Sequence, residues 1–134
     1  MTLLRRAVFF GVLTGLLSPW QNVSFAQKES EREPSFSRAQ AGDGRTAYRE
    51  YCASCHGAKL EGIHLSPSLV GSRFDWSWRG KSVDILSFHV RRMPPEGVPG
   101  AGSISDEAYT NIVAYILMSN DFAPSDAELS ISRL

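Results

Sequence analysis

Apolar residues along the chain fall into one unbroken run and three periodic stretches, separated by polar, glycine- and proline-rich segments. The unbroken run is "AVFFGVLTGLL", Ala7 to Leu17. The first periodic stretch is "GDGRTAYREYCASC", where Tyr48, Tyr51, Cys52 and Cys55 recur at helical steps behind Asp43. Asp43 is a good N-cap, and Gly57 is the residue type that ends a helix, so the spacing predicts a helix running into the cysteines. In the second, "KSVDILSFHVRRM", Val83, Leu86 and Val90 form a stripe with Ile85 and His89 beside it. That helix is expected to end at Met93, because Pro94 and Pro95 cannot continue it. The third, "SISDEAYTNIVAYILMSNDFAP", has Ser105 as cap and Asp106 and Glu107 in its first turn, where the helix dipole favours acids. Ala108, Ile112, Tyr115 and Ile116 share one face, with Tyr109, Val113 and Leu117 alongside, and Asn120 and Pro124 mark the exit. The segment "PPEGVPGAG" is an irregular loop, and no alternating pattern exceeds a few residues. The predicted fold class is all-α.

The N-terminus changes the picture first. Arg5 and Arg6 precede the apolar run, and "SPWQNVSFA" follows it with a proline and small residues at Ser24 and Ala26. This is the layout of a secretory signal peptide over residues 1–26, with cleavage after Ala26. The run is shorter than the roughly 17–25 residues that span a bilayer, so no stable membrane insertion is expected after cleavage. Residues 27–41, "QKESEREPSFSRAQA", are polar and read as a disordered leader. Cleavage would leave 12 basic and 14 acidic residues, a net charge of −2 and no basic excess of the kind nucleic-acid binding requires. The charge is uneven all the same. Residues 57–93 hold six bases (Lys59, Arg73, Arg79, Lys81, Arg91, Arg92) against three acids, while residues 94–134 hold Arg133 against six acids. A core of a few short helices is thin for a chain of this size, so something besides side chains should fill its centre.

The chemistry sits at "REYCASCHG", residues 49–57, which contains both cysteines of the chain. A redox disulfide would need a strand–turn–helix context that is absent. Zinc would need two further ligands at short spacing, and His64 and His89 are isolated from each other. Covalent haem needs two thiols on one side of a helical turn and an imidazole directly after them, and Cys52, Cys55 and His56 supply this as C-x-x-C-H. With an export signal upstream, and a porphyrin to fill the core, haem c is the expected cofactor. Opposite His56, the candidates for the sixth position are Met93, His89, His64 or an open, water-filled site; Met118 lies within a helix and reads as core.

Over residues 42–122 the chain resembles the class I monohaem cytochromes c. The residues that carry the resemblance are Gly44 and Tyr48, "CASCHG" at 52–57, "SPSLVG" at 66–71, Met93-Pro94 and Tyr115. It implies three or four short helices around one covalent haem, in a domain drawn at 42–123 with a tail at 124–134. Gly44 would permit a close crossing with the last helix, where Tyr48 and Tyr115 would pack. The resemblance implies His56 and Met93 as axial ligands and the Pro67 carbonyl as acceptor for His56. Trp76, Trp78 and Arg79 fall where related domains contact the haem propionates, although both tryptophans would serve equally as core. Within the family, Phe74, Trp78, Gly80, Leu86, Met93-Pro94 and "YTNIVAYILMSNDF" look like the cytochromes that work with quinoprotein (PQQ) dehydrogenases. The expected function is a periplasmic one-electron carrier, not an enzyme, linking such a dehydrogenase to a terminal oxidase or another cytochrome. The alternatives are a dedicated dehydrogenase subunit, or a haem enzyme or gas sensor with an open sixth position.

Overall fold

The computed structural model describes residues 34–131; the signal segment and the leader up to residue 33 lie outside the described residues. Five helices follow in order: α1 (Arg38–Tyr51), α2 (Ala53–His56), α3 (Ser72–Trp78), α4 (Val83–Val90) and α5 (Asp106–Met118). Among the described residues there is no strand, and no helix is long and apolar enough to cross a membrane. The fold is all-α, as the periodicity predicts.

Ser37, not Asp43, caps α1. Its hydroxyl accepts from Gln40 N at 3.1 Å, and Gln40 Oε1 accepts from Ser37 N at 3.2 Å. This reciprocal S-x-x-Q capping box satisfies two end groups at once, which a lone aspartate cannot do, and it carries the helix back into the supposed leader. The expected start at residue 42 is corrected accordingly. Gln40 has a second use: its Oε1 also accepts from Leu129 N at 2.7 Å, and its Nε2 donates to Leu129 O at 3.1 Å. Ser125 N donates to Phe36 O at 2.8 Å, and Phe36 and Leu129 are both buried. The segment after Pro124 therefore packs on α1 as part of the core rather than trailing from it.

The centre of the fold is the crossing of α1 on α5. Gly44 faces the α5 backbone so closely that a Cβ placed there would lie 1.8 Å from Asn111 O. One turn on, the Tyr48 and Tyr115 rings meet at 5.4 Å with their planes tilted by 55°. The residues that α5 buries are Tyr109, Ile112, Val113, Ala114, Ile116 and Leu117, rotated slightly from the expected stripe.

α3 is absent from the sequence expectation. Its seven residues are too few for periodicity to register, although Phe74 and Trp78 at i, i+4 mark its inner face. α4 is capped by Ser82 and ends at Val90, earlier than expected, with Met93 N donating to Val90 O at 3.0 Å in a following turn.

Any side chain at 44 must push the two helices apart. Gly44→Ala should destabilise the haem-loaded protein by about 3 kcal/mol, the upper range for overpacking, measured as a drop in the denaturation midpoint.

Candidate haem site

α1 breaks at Cys52, and the chain re-enters one further turn as α2. Cys55 N and His56 N both donate to Cys52 O, at 3.1 and 2.9 Å, and Gly57 N donates to Ala53 O at 3.0 Å. The turn is closed from outside by the buried Tyr48, whose hydroxyl donates to Gly57 O at 2.7 Å. Burial, with the neighbouring Cys52 thiol second, holds the Tyr48 phenol well above its ordinary range, so it stays a donor. Both cysteines are free, Cys52 half-buried and Cys55 exposed. Burial, and then the second thiol, pushes Cys52 up to about 11.

His56 Nδ1 lies 2.9 Å from Pro67 O. A carbonyl can only accept, so Nδ1 donates, and in the neutral imidazole Nε2 is left as the nitrogen that can bind a metal. Pro67 is brought there by the loop between Leu60 and Val70. Leu69 N donates to Leu60 O at 2.8 Å, and Gly62 N donates to His56 O at 2.7 Å. Gly62 permits the closure: a Cβ there would lie 2.6 Å from Ser68 N and 2.7 Å from Ser66 O.

Asn120, which the sequence marks only as a helix exit, locks this loop to the end of α5. Its Oδ1 accepts from Gly71 N at 3.0 Å, and its Nδ2 donates to Leu69 O at 2.9 Å and to Ile116 O at 2.8 Å. Its side chain is buried, and each bond replaces water that cannot reach those groups. Its partners 49 and 51 residues away lie beyond any local pattern.

Met93 follows α4 on a turn, with its side chain exposed and its carbonyl accepting from Tyr109 Oη at 2.7 Å. His89 stacks edge-on with Trp78 at 5.0 Å and with Phe88 at 5.5 Å. His64 is exposed at a positive φ of 52° in the Pro67 loop.

The three residues implied as propionate contacts are not brought together. Trp78 is half-buried against the core, with Lys81 Nζ 5.7 Å from its ring centre. Trp76, two residues earlier, falls on the opposite face of α3 and is 81 % exposed, with the Arg73 guanidinium 5.9 Å from its ring. Arg79 turns away to the end of α5. It pairs with Asp75 at 2.6 Å, donates to Asn120 O at 2.9 Å and covers the Phe122 ring at 4.8 Å. The structure thus places the two tryptophans on different faces of α3 and gives the Arg79 guanidinium protein partners.

The residues present fit a c-type haem. Two free thiols at i, i+3 precede an imidazole whose Nδ1 is taken up by the Pro67 carbonyl, leaving Nε2 as the nitrogen for a metal. Among the described residues, the exposed large apolar side chains (Ile63, Leu65, Trp76, Ile85, Phe88, Met93 and Val98) all lie between residues 63 and 98, downstream of the motif, while α1 and α5 bury theirs. Such surface is unusual on a small domain unless something apolar covers it. Among the described residues, no three His, Cys, Asp or Glu side chains gather as a metal-ion group.

Fold and site together define a small c-type haem domain of electron transport. Residues 39–116 match the family described as Cytochrome C oxidase, cbb3-type, subunit III, and the chain belongs to that family. Its single cysteine pair, Cys52 and Cys55, carries the family's covalent haem c. Among curated proteins, the Cbb3-type cytochrome c oxidase subunit FixP of Azorhizobium caulinodans is 29 % identical over 107 residues. That alignment takes in 74 % of this chain and 36 % of the relative, so the chain spans about a third of the relative's length. No solved structure matches. The comparisons name an oxidase subunit; the quinoprotein dehydrogenase link rests on the residues quoted from the sequence alone.

Replacing Asn120 strands one N–H and two carbonyls. Asn120→Ala should cost the haem-loaded protein about 2–3 kcal/mol, read from chemical denaturation.

Proposed function

We propose that this chain is a one-electron carrier of the periplasm, exported by residues 1–26, with His56 and Met93 as the axial ligands of its haem. The observation that carries the reading is the His56–Pro67 pair at 2.9 Å beside two free thiols, which fixes the tautomer a metal-ligating imidazole needs. Haem c, when bound, supplies a one-electron iron couple. The protein's part is to present His56 Nε2 on one side and the Met93 thioether on the other, and to keep water out with its apolar loops. A thioether in place of a second imidazole raises the potential, which suits a donor to an oxidase.

The redox partners are respiratory proteins. The relative's name supports a terminal oxidase as acceptor, whereas a quinoprotein dehydrogenase as donor rests on Phe74, Trp78, Gly80, Leu86 and Met93-Pro94. Encounter is steered by the excess of bases over residues 57–93, where Lys59, Arg73, Lys81 and Arg92 are all exposed. All three acids there already have partners: Glu61 accepts from Lys59 N at 2.7 Å, Asp75 pairs with Arg79, and Asp84 accepts from Ser82 Oγ at 3.4 Å.

Met93→Ala should abolish the long-wavelength absorption of a thioether–iron(III) bond, lower the potential and let carbon monoxide bind the reduced protein rapidly at neutral pH. Rapid binding by the unaltered protein would instead support an enzyme or sensor with an open site. The second-order rate of electron transfer to an acidic acceptor should fall by about tenfold or more as salt rises from roughly 10 mM to 0.5 M, followed by stopped-flow absorbance; a flat salt profile would remove the steering surface.

A further inference from the structure

The first turn of α5 holds the Met93 segment at two points. Tyr109, only 8 % exposed, donates its hydroxyl to the Met93 carbonyl at 2.7 Å. Two residues before Met93, Arg91 is ion-paired with Asp106, the first residue of α5. Arg91 Nε also donates to Ser87 Oγ at 3.3 Å, and its guanidinium lies 6.0 Å from the Tyr109 ring centre. Neither attachment uses the methionine side chain.

We propose that the Tyr109 hydroxyl, through its bond to the Met93 carbonyl, is the positioning group that keeps the Met93 thioether on the haem iron. This rests on Met93 being the sixth ligand. A thioether is neutral, so no long-range charge draws it to the metal, and its occupancy depends on how narrowly the backbone confines it. Downstream, Pro94 and Pro95 restrict that backbone. Upstream, α4 has already ended at Val90, leaving a turn whose outward side is tied by Arg91. The main chain of residue 93 itself is held from α5 by Tyr109 alone among the hydrogen bonds of the described residues. A carbonyl can only accept, so the Tyr109 hydroxyl is the donor in this bond.

Tyr109→Phe removes the donor and keeps the ring and its packing. In the haem-loaded protein, the variant should lose about half of the thioether–iron(III) absorption and bind carbon monoxide about five- to tenfold faster once reduced, the scale of one hydrogen bond. Met93→Ala, measured alongside, should lose that absorption entirely. A phenylalanine variant with wild-type absorption and carbon monoxide rate, beside a Met93→Ala protein that has lost the band, would overturn the positioning role, whatever happened to the melting temperature. A band that survives Met93→Ala would remove the ligand assignment itself, and this proposal with it.

Discussion

The close approach of α1 to the α5 backbone at Gly44 is the constraint on which the remaining geometry depends. It is a contact of main chain on main chain, with no side chain between to absorb error. α1 delivers the cysteines and His56 at its end. α5 runs past that point and offers an anchor at each extremity, Tyr109 to the Met93 carbonyl and Asn120 to the loop that holds Pro67. The helix thus works as a ruler. Its length sets the separation of the Met93 turn from the Pro67 loop, so a shift in the crossing would be felt at both.

The two halves of the domain are stabilised differently. α1, α5 and the returning segment after Pro124 form a dry core from Phe36, Tyr48, Ile112, Ile116 and Leu129. The part between residues 57 and 103 has two short helices, α3 and α4, and sends Leu60, Phe74 and Leu86 into the core while leaving seven other large apolar side chains exposed. A domain this small gains little from side-chain burial there, and the covalent haem of the family is the natural filling. This explains why the loops are fixed by directional bonds, such as those of Gly62, Ser68 and Asn120, rather than by packing alone.

How much of this is legible in the sequence follows from the range of each interaction. α5, its Ser105 cap, the Gly57 stop and the C-x-x-C-H turn are local and periodic, and they read correctly. The start of α1 was written just as locally, in Ser37 and Gln40, but the charged, proline-bearing context disguised it as a leader. α3 is too short to show a period, and the two-residue step from Trp76 to Trp78 puts them on different faces of it, one exposed and one half-buried. Gln40 reaches 89 residues along the chain and Asn120 about 50, so no reading of neighbours reveals either. Close crossing at Gly44 was visible only through resemblance to other cytochromes.

The clasp between Gln40 and Leu129, with Ser35 Oγ 2.7 Å from Ser125 Oγ, brings both ends of the described chain to one pole. Polypeptide entering and leaving such a body needs no passage around it. The domain is thereby a cassette: it can be spliced into a longer protein, or hung from a linker at either end, without opening its helices.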